Sequence, residues 1–404
     1  MATTERYYTS SSLPPPSPPN HYDHLLSSLN HILTTYPPVH FTHRTFSGLY
    51  SGPTSISYLI LRLSQLHPTL ALRGKSCREW SAEYLSPQPL PARGAAGRIS
   101  AGNCGVASEL LVKPVVEACL AADETLAGQV CELEVLINAK SDEAGGGGGS
   151  NEWLYGRSGY LYLLRMLRHF FSGPNVRQMV DLAINNTVAR IMDDWRAHPD
   201  GEGWMWHGKK YLGAAHGVAG IVAQVVMSCR VTGTPIPEEL EGIVSGLLDQ
   251  QLDTGNWPPS KNSSRDDLVQ FCHGAPGMLI SLIPIKDSFP ALRRRIDSAC
   301  TRGRQVVEQR GLLTKTPSLC HGITGNALAF EDEETLGRFM GYTTREYLER
   351  NVGVFRGLGE KELVDEEFGL FTGEGGRAWG FFVGYLVGQG GGDLWGRVVG
   401  FNDL

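Results

Sequence analysis

The chain has 404 residues, 41% of them hydrophobic, a formal charge of −6 and eight cysteines. That balance offers no basic face for nucleic acid, no run of eighteen apolar residues spans a membrane, and the Ser/Pro-rich start lacks a signal core. Cysteines scattered without a CxxC pair fit a reducing compartment, so a soluble cytoplasmic protein is expected, with peripheral membrane association left open.

Residues 1–20, polar and proline-rich, predict a disordered lead, and residues 21–404 a single repeat-built domain. A helical pattern runs from 21 to 36 and stops at Pro37-Pro38. The sequence SISYLILRLSQL (55–66) reads as a buried inner helix, CREWSAEYL (77–85) as an outer one, and PQPLPARGAAG (87–97) as a loop. The glycine run at 145–149 reads as a flexible surface insertion. Outer helices are expected over 176–195 and, with a basic solvated face, over 291–311. Between them the polar segment DTGNWPPSKNSSRDDLVQ (253–270) is too long for a connector and is a candidate to line a site. The glycine-dense, apolar GRAWGFFVGYLVG (376–388) is expected to close the structure.

One small phrase recurs seven times: LYSGPTS, SAGNCG, LYGRSG, AAHGVAG, FCHGAPG, LCHGITG and LFTGEGG. Aligned on Gly52, Gly102, Gly156, Gly217, Gly274, Gly322 and Gly373, each copy has glycine three residues on, except that Ser55 replaces it in the first. Copies roughly 50 to 60 residues apart suggest one helix pair per repeat. Seven pairs closing into a ring give an all-α fold, an α/α toroid with seven inner helices surrounded by seven outer ones.

Register then groups the chemistry. Cys272 and Cys320 lie two positions before the first glycine of their repeats, and His216, His273 and His321 one position before theirs. Starting from neighbouring inner helices, these side chains emerge at one end of the barrel, where helix N-termini favour anionic sulfur. Two cysteines and a histidine make a three-ligand zinc set with one open position, the arrangement of a catalytic site. Spacing alone leaves open which imidazole, His273 or His321, completes it.

At these residues the chain resembles the LanC-like proteins, eukaryotic relatives of the bacterial lanthionine cyclases. The phrases NEWLYGRSGYLYLL, KKYLGAAHGVAGI, GNWPP, RDDLVQFCHGAPGM and LCHGITGNALAF carry the resemblance, which runs from about Tyr22 to Leu386. It implies a seven-fold α/α toroid that binds zinc through Cys272, Cys320 and His321. It also implies a zinc-dependent enzyme that activates a thiol, glutathione in eukaryotic relatives, for addition to dehydroalanine or dehydrobutyrine in proteins or peptides. Dehydroalanine is a Michael acceptor, so the reaction needs a thiolate and a proton donor for the enolate; His216 is the candidate acid. Glu152 matches an acidic position that can orient a histidine, Lys315 a lysine that contacts glutathione, and Arg265 can offer a bidentate fork to an anion.

The seventh repeat departs from that pattern. Thr372 stands where relatives carry glutamate, and the acidic ELVDEEFG (362–369) lacks an expected arginine, which predicts weaker glutathione binding that an arginine at Glu362 should restore. Two other readings follow from the same residues. One is a non-catalytic zinc- and glutathione-binding sensor or receptor-like adaptor; the other is a carbohydrate-active enzyme on an α/α toroid, which needs paired carboxylates where this chain has Cys and His.

Overall fold

The structure is a computed structural model that describes residues 6–9, 12–38, 47–86, 98–139, 149–198, 203–351, 368–390 and 397–404. Helices alternate between an inner barrel and an outer layer. Outer helix α1 (His21–Thr35) comes first. Inner α2 (Pro53–Leu66) is followed by outer α3 (Cys77–Leu85), and inner α4 (Glu109–Ala121) by outer α5 (Glu124–Glu132) with the short α6 (Glu134–Ile137). Inner α7 (Arg157–Phe170) precedes outer α8 (Pro174–Arg196), and inner α9 (Val218–Thr232) precedes outer α10 (Glu239–Asp249). Inner α11 (Ala275–Leu282) is paired with α12 (Arg293–Arg310), and inner α13 (Ile323–Ala327) with α14 (Glu333–Gly341) and α15 (Arg345–Arg350). The last inner helix, α16 (Glu374–Gly388), packs on α1, α2 and α13, so the chain's first outer helix completes the seventh pair and the ring closes.

Burial separates the two layers. Every residue of α2 from Pro53 to Leu63 is buried, as is every residue of α9 from Val218 to Cys229. Such helices are apolar on all faces because neighbours cover them all round. The outer α1 buries one stripe, Leu25, Ser28, Leu29, Ile32 and Leu33.

The glycine phrases join the inner helices. Cys272 N–H donates to the Cys320 carbonyl (3.2 Å), Cys320 N–H to the Phe371 carbonyl (3.0 Å), and Phe371 N–H to the Tyr50 carbonyl (3.0 Å). Leu49 N–H reaches the Val106 carbonyl (2.8 Å), Cys104 N–H the Tyr155 carbonyl (2.8 Å), and Trp153 N–H the Ala215 carbonyl (3.1 Å). Neighbouring repeat starts are thus stitched side by side around one end of the barrel. The second glycine of the phrase has a steric cause. A Cβ on Gly220, Gly277 or Gly325 would sit 1.9 Å from the carbonyl oxygen six residues earlier.

One copy differs from the sequence expectation. Gly102 opens no helix; α4 starts at Glu109 after Ser108. The glycine held tightly there is Gly105, whose Cβ would meet the Leu154 carbonyl oxygen at 2.4 Å. The repeat start therefore lies at Gly105 with Ser108 three residues on, the same pattern as Gly52 and Ser55. Part of the lead expected to be disordered is also tied down. Tyr7–Tyr8 pairs antiparallel with Leu312–Leu313, Leu13 is buried, and the Tyr347 hydroxyl donates to the Pro14 carbonyl (2.7 Å). Of the glycine insertion, residues 145–148 lie outside the described residues.

From the opposite end, residues 398–403 fill the inside of the barrel, with Gly400 and Phe401 reaching the repeat-start turns. Trp153 Nε1 donates to the Gly400 carbonyl (3.1 Å), Gln224 Nε2 to the Phe401 carbonyl (2.9 Å) and Asn402 Nδ2 to the Ile280 carbonyl (3.1 Å). Asp403, buried, takes the Arg62 guanidinium at 2.9 Å and the Tyr162 hydroxyl at 2.8 Å. Among the described residues no helix is long and apolar enough to cross a membrane.

Candidate functional site

The stitched turns bring Cys272 and Cys320 into contact. Both are buried, and their sulfurs share a hydrogen bond. The Cys272 thiol is held below the ordinary thiol range, by the bond from Cys320 first and by Gln270 and Lys315 further, against the opposing pull of burial. The bond to Cys272 together with burial pushes Cys320 well above that range. Of the two sulfurs, Cys272 is therefore the one that gives up its proton more readily. Gln270 Nε2 donates to Cys272 Sγ at 3.0 Å, and Lys315 Nζ donates to Gln270 Oε1 at 3.4 Å. The Tyr50 hydroxyl bonds Cys320. By contrast, burial pushes the Cys300 thiol up to about 12, and all eight cysteines are free.

His216 lies one repeat away from Cys272, and its ring is fixed on several sides. Its Nδ1 is 2.8 Å from Glu152 Oε2. Glu152 is buried and also accepts from the backbone N–H groups of Leu154 (2.9 Å) and Tyr155, so the carboxylate cannot turn away. With Nδ1 committed to the carboxylate, Nε2 is the nitrogen left for chemistry. Trp206 stacks on the imidazole with centroids 4.0 Å apart and planes 4° from parallel, and Tyr155 lies nearly parallel at 6.1 Å. His273 is 6.2 Å from His216 and 5.6 Å from Tyr211. Its Nδ1 is buried and lacks a hydrogen-bond partner, and burial with the nearby His216, Arg265 and Lys315 lowers its pKa to about 4. His321, through burial and the Lys315 charge, is also lowered to about 4 and is a neutral imidazole at pH 7.

These positions bear unevenly on the sequence expectations. Glu152 and His216 meet, Cys272 and Cys320 meet, and Lys315 reaches the sulfurs through Gln270. Arg265 stands apart: its fork is engaged by Asp267 in two 3.0 Å bonds, with Arg6 on the same carboxylate at 2.8 Å. Thr372 Oγ1 is buried and has no hydrogen-bond partner, while Glu374 two residues on pairs with Arg377 at 2.9 Å. Residues 362–367, Glu362 included, lie outside the described residues. Two thiols and a neutral imidazole are donors of the type zinc takes. Among the described residues, however, no three His, Cys, Asp or Glu side chains are grouped closely enough to hold a metal ion as they stand.

Several site residues escaped the sequence reading. Tyr50 holds the same repeat position as Cys272 and Cys320, and Tyr155 that of His216, so the register argument could have found both. Gln270 ends the polar 253–270 segment expected to line a site, though no repeat signal singles it out, and Trp206 sits in a long connection with none. The loop holding Gln270 also starts α11, since Asn256 Oδ1 accepts from Ala275 N–H at 2.8 Å.

A closed ring of paired helices with a cysteine and histidine cluster at one mouth defines the class. The chain belongs to the lanthionine synthetase C-like protein family, whose profile matches residues 44–383. It is similar to "Glutathione S-transferase LANCL1" of Danio rerio, 31% identical over 235 residues, or 56% of this chain and 56% of that protein. It is also similar to "LanC-like protein GCL1" of Arabidopsis thaliana, 32% identical over 223 residues, or 51% of this chain and 50% of that one. The matched stretch thus spans about half the length of these relatives. The solved structure of "Nisin cyclase" shares the fold with a TM-score of 0.57 at 14% identity, covering 89% of this chain and 94% of that one.

Proposed function

We propose that this protein is a cytoplasmic, zinc-dependent enzyme that adds a thiol, glutathione as the candidate, to dehydroalanine or dehydrobutyrine in a protein or peptide. The observation that carries the reading is the joint presence of the hydrogen-bonded Cys272–Cys320 pair and a Glu152-held His216 one repeat apart. The name of the Danio rerio relative supports the thiol, and the name of the cyclase supports a peptide substrate.

Cys272, Cys320 and His321 would hold the zinc, with Gln270 and Tyr50 donating to the two sulfurs. A zinc bound there would supply the positive charge that lowers the pKa of an incoming thiol. Lys315 attracts a carboxylate of that thiol. The sulfur lone pair forms the new bond to the substrate Cβ while the C=C π pair moves to Cα as an enolate. His216, its Nδ1–H donated to Glu152, delivers the Nε2 proton to Cα and is reprotonated from solvent. The result is a thioether, with the thiol's own proton released on binding.

The direct test offers purified protein, zinc, glutathione and a dehydroalanine peptide, and follows thioether formation by mass spectrometry. Wild type should accelerate addition and hold one zinc per chain. No acceleration with glutathione or any peptide thiol would overturn the catalytic reading and leave a zinc- and thiol-binding module.

A further inference from the structure

We propose that Tyr155 is a further catalytic residue, whose hydroxyl donates a hydrogen bond to the carbonyl oxygen of the dehydroamino acid as that oxygen takes up enolate charge. This rests on the thiol-addition reading for the reaction, and on the placement of Tyr155 for the donor. Sulfur addition at Cβ sends the π pair through Cα onto the carbonyl oxygen. A donor already aimed at that oxygen speeds the step, and neither the sulfur pair nor the Glu152-held His216 supplies one.

Tyr155 stands one position before Gly156, the place that His216, His273 and His321 hold in their own repeats, so its side chain starts at the same rim. Its backbone is fixed on both sides. The N–H donates to Glu152 Oε1, and the carbonyl accepts from the N–H groups of Cys104 (2.8 Å) and Gly105 (3.0 Å). The ring lies 6.1 Å from both His216 and Trp206 and within 12° of parallel to each. Trp153 and Leu154 just before it are buried, whereas Tyr155 is 40% exposed and open to a substrate.

The hydroxyl lies between the two polar clusters. Burial, then the Glu152 carboxylate, then Cys320 raise the Tyr155 pKa above the ordinary phenol value, so all three hold its proton on. Burial, with Cys320, Cys272 and Tyr155 nearby, does the same to Tyr50. A neutral phenol is a hydrogen-bond donor. Neighbouring donors are committed: the Tyr50 hydroxyl to Cys320, Gln270 to Cys272, and Lys315 to Gln270. Among the described residues the Tyr155 hydroxyl has no hydrogen-bond partner.

In an enolate, Cα and the oxygen are joined through a single carbon, so the acid for one and the donor for the other have to be neighbours. His216 and Tyr155 are. The sulfur lone pair forms the S–Cβ bond and the π pair moves to the oxygen, where Tyr155 meets it without giving up its proton. His216 then delivers its Nε2 proton to Cα, the C=O bond re-forms, and Tyr155 is unchanged.

The test removes the hydroxyl alone, since Tyr155→Phe keeps the ring beside His216 and Trp206. With zinc, glutathione and a dehydroalanine peptide, kcat should fall about 10²–10³-fold, while zinc content, glutathione affinity and Tm stay at wild-type values. A second readout needs no turnover: the infrared carbonyl band of the thioether product peptide, labelled with carbon-13 at the carbonyl of the modified residue. Bound to wild type, that band should lie lower than when bound to Tyr155→Phe, as a carbonyl that accepts from the hydroxyl requires. A wild-type rate in Tyr155→Phe, or one band position in both proteins, overturns the assignment. So does a wild type that fails to bind the product peptide. If the band differs while wild type adds no thiol, the thiol-addition reading falls and the carbonyl contact stands.

Discussion

The two ends of the barrel hold buried polar groups in opposite ways. At the far end, Asp403 meets Arg62, Tyr58 and Tyr162, and the Phe401 carbonyl takes Gln224 and Arg165, whose Nε is the donor left over there. At the repeat-start end, the hydrogen-bonded Cys272–Cys320 pair, a neutral His273 with an unmatched Nδ1 and a half-buried His216 are left with spare bonding capacity. Buried groups with unmet bonding capacity cost stability unless a ligand uses them. The difference teaches that the far end is built to hold the ring shut, and the near end to hold something else.

The sharpest way to break this division is to remove one group at each end. Cys320→Ala should abolish zinc retention and turnover while leaving the fold helical, and Cys300→Ala should keep both; metal analysis and circular dichroism check this. A Cys272→Ala, Cys320→Ala double variant that kept full metal occupancy would end the zinc proposal. At the far end, Asp403→Ala strands the buried Arg62 charge and should cost about 3–5 kcal/mol in urea unfolding, with the rate per folded molecule unchanged.

The pH dependence of stability gives a smaller contrast. Burial, with His24 nearby, lowers the His21 pKa from 6.5 to about 4. Between those values the unfolded chain binds a proton that the folded one refuses, so stability falls as pH drops through the window. His21→Gln should flatten this acid slope by about 1–3 kcal/mol, measured by urea unfolding at pH 7 and pH 4. Equal slopes in the two proteins would contradict the assigned burial effect. Smallest is the expected split between two cations near the site. Lys315→Ala should weaken glutathione binding several-fold, chiefly at low salt, whereas Arg265→Ala, with its fork on Asp267, should change it less than about two-fold. Calorimetry of glutathione binding checks both.

The near end was more legible than the far end, for a physical reason. Close backbone approach forces glycine into each repeat start, and that constraint repeats, so the register of Cys272, Cys320 and His216 could be read directly. Gly102 misled because a glycine in an exposed turn has the same letter as one pressed against a carbonyl; only the packing of Gly105 on Leu154 separates them. The plug at 398–403 has no period, and its pairing of Asp403 with Arg62 joins residues from opposite ends of the chain. Trp206 was hidden likewise, since its stack on His216 comes from a loop closed in three dimensions. For Arg265 the sequence shows Asp267 two residues on, but not that the guanidinium folds back onto that carboxylate.

The central claim is that the two polar clusters of the near end act together, sulfur as nucleophile site and His216 as acid. The most direct measurement is the rate of glutathione addition to a dehydroalanine peptide by zinc-loaded His216→Asn, with zinc content and glutathione affinity determined on the same sample. The account predicts zinc and affinity near wild type and a rate lower by roughly 10²–10⁴-fold. A variant that keeps its zinc and the full wild-type rate would contradict it.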